Sequence, residues 1–126
     1  MKGGRVSLAV AGLLGFTAVA FGAFGAHGLR GKISPEMLEV YRTGALYHLV
    51  HAVAALAVAL AGERLRRAPM ILTLLTLGIV VFAGSLYTLA ITGIGALGAV
   101  TPLGGLLLLA AWALVAAEAL SDGKAR

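Results

Sequence analysis

Apolar residues in this chain fall into four long runs separated by short polar or glycine-rich breaks, and the length of the runs decides the architecture. From Val6 to Ala26 no charged residue occurs. A helix rising ~1.5 Å per residue needs ~20 apolar residues to cross a hydrocarbon core of ~30 Å, and this first run supplies them. Three more runs of similar length follow, over about 43–61, 70–92 and 102–120. Spans of this kind satisfy their backbone polar groups internally only as helices, so the pattern predicts an all-α membrane protein. The expected form is a bundle of four transmembrane helices in a single integral membrane domain covering residues 1–126.

The breaks carry helix start signals. Ser34-Pro35-Glu36 supplies an N-cap residue, a proline at the first helical position and an acid in the first turn, which extends the second helix back to about Pro35. Its first turns then carry Glu39 and Arg42, three apart and able to pair at the membrane surface. Gly62 to Pro69 is short and strongly basic, with Pro69 able to open the third helix. The uncharged, glycine-rich Gly93–Val100 connection leads to Thr101-Pro102, which repeats the cap-and-proline signal. Ser121 to Arg126 reads as a polar, frayed tail. The basic start before the first run imitates a secretory signal peptide, but the run exceeds the ~7–15 residues of a signal core, so the first span is expected to stay in the mature chain.

Within the first span, Ala11, Gly15, Ala18, Gly22 and Ala26 recur at helical spacing on one narrow stripe. Helices in lipid have little hydrophobic drive to associate, so small residues that permit close van der Waals approach are the expected contact face. The same stripe makes a homo-oligomer, or contact with another membrane protein, a candidate.

Composition confirms the solvent and excludes several functions. The chain is 60% hydrophobic and 12% charged, a balance a water-soluble domain of this size does not use. Its formal net charge is +5, yet the basic residues sit at span ends and never line one polar face, so nucleic acid is not a partner and the lipid bilayer is. With no cysteine there is no disulfide, thiolate nucleophile or cysteine metal site. The start, the second connection and the tail hold Lys2, Arg5, Arg64, Arg66, Arg67, Lys124 and Arg126; the first connection and the turns after it hold Arg30, Lys32 and Arg42. Seven against three predicts both termini in the cytoplasm and His27 at the outer side.

Chemistry-bearing residues concentrate toward that outer side. On the second helix His48 and His51 share a face with Tyr41, Gly44 and Ala55, below the headgroups and near the depth of Ser85, Tyr87 and Thr88 on the third. With His27, Tyr47 and Thr101 they make a candidate polar cluster: His27, Tyr47, His48, His51, Ser85, Tyr87, Thr88 and Thr101. Ionisable groups at such depth usually face the bundle interior. Three readings compete. Neutral imidazoles could bond carbonyls and hydroxyls and hold the helices; His27, His48 and His51 could relay protons or a small solute in a transporter or channel subunit; or the three could bind a metal as an accessory protein. The structural, ligand-binding or partner-binding reading leads. No aspartate, glutamate or cysteine has a place to complete a metal shell, so neither a metal site nor a cofactor is assigned.

Enzyme signatures are missing. The chain has no His-Glu-x-x-His helix, no Gly-x-Ser-x-Gly elbow and no phosphate-binding Gly-x-x-x-x-Gly-Lys loop. Ser85 paired with a histidine base would need hydrogen-bond reach between helices. No catalytic residue is assigned and the expectation is a protein that is not an enzyme.

The motifs Gly22-Ala-Phe-Gly-Ala-His-Gly-Leu29, Tyr47-x-x-x-His51-Ala52, Phe82-Ala-Gly-Ser-Leu-Tyr-x-Leu-Ala-x-Thr-Gly93 and Leu97-Gly-Ala-Val-Thr-Pro-Leu-Gly-Gly105, followed by Trp112, occur in that order. In these the chain resembles domain-of-unknown-function family 423, small inner-membrane proteins similar to the eukaryotic transmembrane protein 256. The resemblance implies a four-span protein of the bacterial inner membrane with no assigned activity. The chain departs from the family pattern at His48, where many members carry glutamine, and at Ala83, where serine is usual. An amide does not titrate, which weighs against a mechanism that requires both helix-borne histidines.

Overall fold

The computed structural model describes residues 2–124, with side chains within 3–121. Four helices follow one another: α1 (Lys2–His27), α2 (Pro35–Ala61), α3 (Ala68–Thr92) and α4 (Thr101–Lys124). All four are long and apolar enough to cross a membrane. One-turn 3-10 segments, Gly62–Arg64 and Gly95–Ala99, sit in the second and third connections. Successive spans run antiparallel, so the start of α1 and the end of α4 lie at the same end of the bundle.

Local signals explain the boundaries. Ser34 caps α2, its hydroxyl accepting from the Met37 N–H at 3.1 Å. Glu39 and Arg42 pair at 2.8 Å on the exposed first turns, an arrangement that contributes ~0–1 kcal/mol. Gly93 ends α3 in the left-handed conformation (φ 73°), its N–H bonded to the Leu89 carbonyl at 2.8 Å; a side chain there would be strained. Two features differ from the sequence reading. Thr101 does not cap α4: it is the first helical residue, and its hydroxyl reaches the Leu97 carbonyl and Ser85 instead. The 3-10 turn runs almost directly into the helix, so the hydroxyl points back along the turn. The helical backbone of α4 also runs past the apolar run, to Lys124. Met1 and residues 125–126, including Arg126, lie outside the described residues.

The helices associate in chain order. α2 packs on α3, α1 on α2 and α4 on α3, while α1 makes only slight contact with α3. On α3, Ile79, Ala83 and Tyr87 turn toward α2 and α1, whereas Gly78 faces Leu108 of α4 and Phe82 faces Gly104. At ~100° per residue these are separate faces. α1 and α4 therefore lie on opposite sides of the central α2–α3 pair, and the bundle is an open zigzag.

Closest approach falls at glycines. A Cβ at Gly104 would collide with the Phe82 backbone, one at Gly78 with the Leu108 side chain, and one at Gly25 with the Tyr41 ring. Of the predicted α1 stripe, Ala11 and Ala18 are each 3% exposed, but Ala26 is exposed, and Gly15 and Gly22 would accept a Cβ without meeting anything. The inward face of α1 is thus Ala11, Leu14, Ala18 and Gly25, rotated from the stripe at its outer end because Tyr41 packs over Gly25.

Candidate functional site

The predicted cluster separates into three hydrogen-bonded sets. In the first, His48 at 4% exposure bridges three helices: its Nε2 lies 3.1 Å from the Thr17 hydroxyl of α1 and its Nδ1 lies 2.9 Å from the Tyr87 hydroxyl of α3. Thr17 directs its own proton to the Leu13 or Leu14 carbonyl. It therefore accepts from His48 Nε2–H, and Tyr87 O–H donates to Nδ1. The opposite assignment would leave the Tyr87 proton without an acceptor. Around this bridge, Tyr41 stands 4.6 Å and Phe21 5.0 Å from the Tyr87 ring, and the Tyr41 hydroxyl donates to the Phe21 carbonyl at 2.6 Å.

The second set joins α2 to α4. His51 Nδ1 lies 2.8 Å from the Tyr47 carbonyl, which only accepts, so Nδ1 carries the proton. Its Nε2 then accepts from the Trp112 indole N–H at 3.0 Å. The two histidines are both neutral and adopt opposite tautomers, each fixed by its partners. The Tyr47 ring stacks on His51 (5.9 Å, 13° between planes) and leans on Phe82 at 4.7 Å. The third set is Ser85 and Thr101, with hydroxyls 2.6 Å apart, tying α3 to the start of α4. Ser85 also donates to the Phe82 carbonyl, and a histidine is not among its partners.

His27 joins none of these sets: it is the exposed last residue of α1. Thr88 is exposed and bonds back to the Gly84 carbonyl at 2.7 Å. Among the described residues no three His, Asp or Glu side chains converge on a common point. The His27–His51 meeting that the sequence invites does not occur, because His51 turns toward α4 while α1 lies on the other side of the pair.

Sequence reasoning missed three partners. Thr17 and Trp112 complete the histidine bridges, but nothing in the spacing says which helix faces which. The third, Glu118, is 4% exposed near the end of α4 and accepts from the backbone N–H groups of Arg66 (3.1 Å) and Arg67 (2.8 Å), at the entry to α3. The Arg67 guanidinium adds a contact at 3.5 Å and also reaches Ser121 at 3.2 Å. A signal was available: Glu118 is the one acid within the last apolar run, at the end of the bundle that also holds the basic loop.

The open zigzag leaves a groove between α1 and α3, floored by α2, with a volume of about 770 Å³. Leu13, Phe21, Val80 and Ile91 wall it, and His48, Tyr87 and Thr88 lie along it. It faces the direction in which, for a membrane-spanning chain, lipid must lie.

Four apolar antiparallel helices whose buried polar groups are spent on joining one another define an integral membrane protein. Residues 21–105 match the model of a family described as proteins of unknown function, DUF423, and the chain belongs to that family. It is 40% identical over 119 residues to the UPF0382 membrane protein YwdK of Bacillus subtilis, covering 92% of this chain and 97% of that protein. It is 38% identical over 118 residues to the UPF0382 inner membrane protein YgdD of Escherichia coli, covering 92% of this chain and 90% of that one. A Haemophilus influenzae UPF0382 membrane protein is 40% identical over 106 residues, 83% of this chain and 86% of its own. No solved structure matches.

Proposed function

We propose that the protein is a non-catalytic, ligand-binding component of the bacterial inner membrane, with both termini in the cytoplasm, and that the groove between α1 and α3 seats one apolar chain of an amphiphile. The groove carries this reading. Its volume of about 770 Å³ falls in the ~300–1,000 Å³ range of small-molecule sites. Its wall is apolar with a few hydroxyls and one imidazole, the make-up of a pocket that orients a ligand by a small number of polar contacts.

The hydroxyls and rings already described support the non-catalytic reading. Ser85 is engaged with Thr101, and His48 and His51 each use both ring nitrogens as neutral groups. A proton or solute path through His27, His48 and His51 gains no support, since no hydrogen bond among the described residues links one of them to another. The cytoplasmic placement of the termini rests on the excess of basic residues at that end.

Gly84 provides the test, because it lines the groove and a Cβ there meets nothing within 4 Å. Gly84→Leu should narrow the groove at the level of His48 and Tyr87 without disturbing the helices. Native mass spectrometry of protein extracted from its own membrane should find a bound hydrophobic species on the wild type and lose it from Gly84→Leu at unchanged thermal stability. A wild type with no bound species, or equal retention by the variant, would overturn the proposal.

A further inference from the structure

A second cavity, of about 260 Å³, lies between α2 and α4 on the opposite side of the central pair. Its wall is wholly apolar, with Ala57 and Ala61 from α2, Leu75 from α3, Val115 from α4 and Leu65 from the α2–α3 connection. Trp112 lines its deeper end. Trp112 stands six residues before Glu118 on α4, about 9 Å further from the loop along the helix axis.

Leu65 links this cavity to the surface. Its side chain is half-buried in the cavity wall, whereas its neighbours Arg64 and Arg66 are exposed. The loop holding all three is pinned from below, where Glu118 binds the N–H groups of Arg66 and Arg67 and occupies the Arg67 guanidinium. Arg64 and Arg66 enter no ion pair among the described residues, and they outnumber Glu63, the exposed acid of the same turn. Two exposed cations flank Leu65, at the level where helix gives way to surface loop, and together with the apolar slot that Leu65 lines they complement a molecule with an anionic head and a hydrocarbon tail.

We propose that the α2–α3 loop and this cavity together bind an anionic glycerophospholipid, its phosphate on Arg64 and Arg66 and the first part of one acyl chain in the slot, reaching toward Trp112. The site is separate from the α1–α3 groove and does not depend on that reading. Inorganic phosphate has the head chemistry without the chain, and a zwitterionic phospholipid brings the chain without the net charge. The paired requirement, head and tail, sets this site apart from general attraction of basic loops to a membrane surface.

Trp112 is the only tryptophan, so its fluorescence reports on the slot. The full-length protein is reconstituted in vesicles of phosphatidylcholine brominated on its acyl chains, which quench the indole. Unbrominated phosphatidylglycerol should relieve the quenching at a lower mole fraction than unbrominated phosphatidylcholine, with a preference of roughly five-fold per arginine engaged. Arg64→Gln/Arg66→Gln, at exposed positions where the fold is not at stake, should abolish the preference. Ala57→Leu, which narrows the slot, should reduce the fraction of fluorescence that phosphatidylglycerol restores. Equal relief by the two lipids in the wild type, an undiminished preference in the double variant, or relief of quenching by inorganic phosphate alone would each overturn the proposal.

Discussion

Replacing Glu118 by alanine removes the acceptor of two backbone N–H groups, 3.1 Å away at Arg66 and 2.8 Å at Arg67. Hydrogen bonds to a charged partner contribute ~1.5–3 kcal/mol each, but the loop borders the aqueous phase and water can partly replace the lost acceptor. The net loss should therefore be about 2–4 kcal/mol. The ion pair contributes far less: the Arg67 nitrogen is 3.5 Å from the carboxylate and its side chain is 37% exposed, the regime in which such pairs are worth ~0–1 kcal/mol. Glu118→Gln keeps one oxygen to accept from one amide but turns its NH₂ toward the other, so it should lose roughly half as much as the alanine variant. Thermal unfolding in detergent, followed by Trp112 fluorescence, should rank the variants Glu118→Ala, then Glu118→Gln, then Arg67→Gln, from least to most stable. A loss from Arg67→Gln as large as that from Glu118→Ala would assign the stabilisation to the ion pair and refute the amide-capping argument. Coincidence of Glu118→Ala with the wild type would mean that burying the carboxylate costs as much as its hydrogen bonds return.

Further outcomes follow from the same contacts. Gly104→Ala, forced against the Phe82 backbone, should destabilise by ~1–3 kcal/mol or more, whereas Gly15→Ala, which meets nothing, should be neutral or stabilise by ~0.5–1 kcal/mol; melting curves read both. If Gly15→Ala instead broke up a species of higher mass in size-exclusion chromatography with light scattering, the α1 stripe would be an interface between copies. His48→Gln offers one acceptor and one donor to Tyr87 and Thr17 and should retain most of the stability that His48→Leu loses, a difference of about 1–3 kcal/mol in thermal unfolding. Trp112→Phe leaves His51 Nε2 without its donor and should cost about 1–3 kcal/mol in the same assay, beyond the small loss of ring area. A reporter fused after Arg126 should be active only in the cytoplasm; activity outside would reverse the assigned topology.

Much of this architecture can be read from the chain because one physical constraint governs it. Four uninterrupted apolar runs leave the backbone no economical state in lipid other than helix, and Ser34-Pro35 marks a start that the structure caps in the expected way. The face carrying Tyr41, Gly44, His48, His51 and Ala55 is buried, since helical periodicity alone groups those positions. Pairing between helices is a different kind of information. The rotation of α1 that buries Gly25 under Tyr41, and the choice of α4 rather than α1 as the neighbour of His51, depend on which shapes interlock among nearly equivalent apolar faces. With no hydrophobic gradient between lipid and protein interior, nothing in the apolar residues themselves orders those alternatives. Glu118 was legible in principle, as a lone acid opposite a basic loop, but its target is backbone, and backbone donors leave no mark in a sequence.

Because each helix packs chiefly on its immediate predecessor in the chain, every interface becomes available as soon as the next span leaves the ribosome. The His51–Trp112 bond between α2 and α4 waits for the fourth helix, but the main helix pairings do not wait for a distant partner, so the topology favours rapid assembly from local contacts. α1 and α2 can pair before α3 is made, and Glu118, arriving last, closes the loop between two spans already in place. The carboxylate thus fastens the connection between α2 and α3 only after both of those helices have been made. Until α4 packs on α3, that connection has no carboxylate to hold its two amides, so the event that docks the fourth helix also fastens the loop between the second and third.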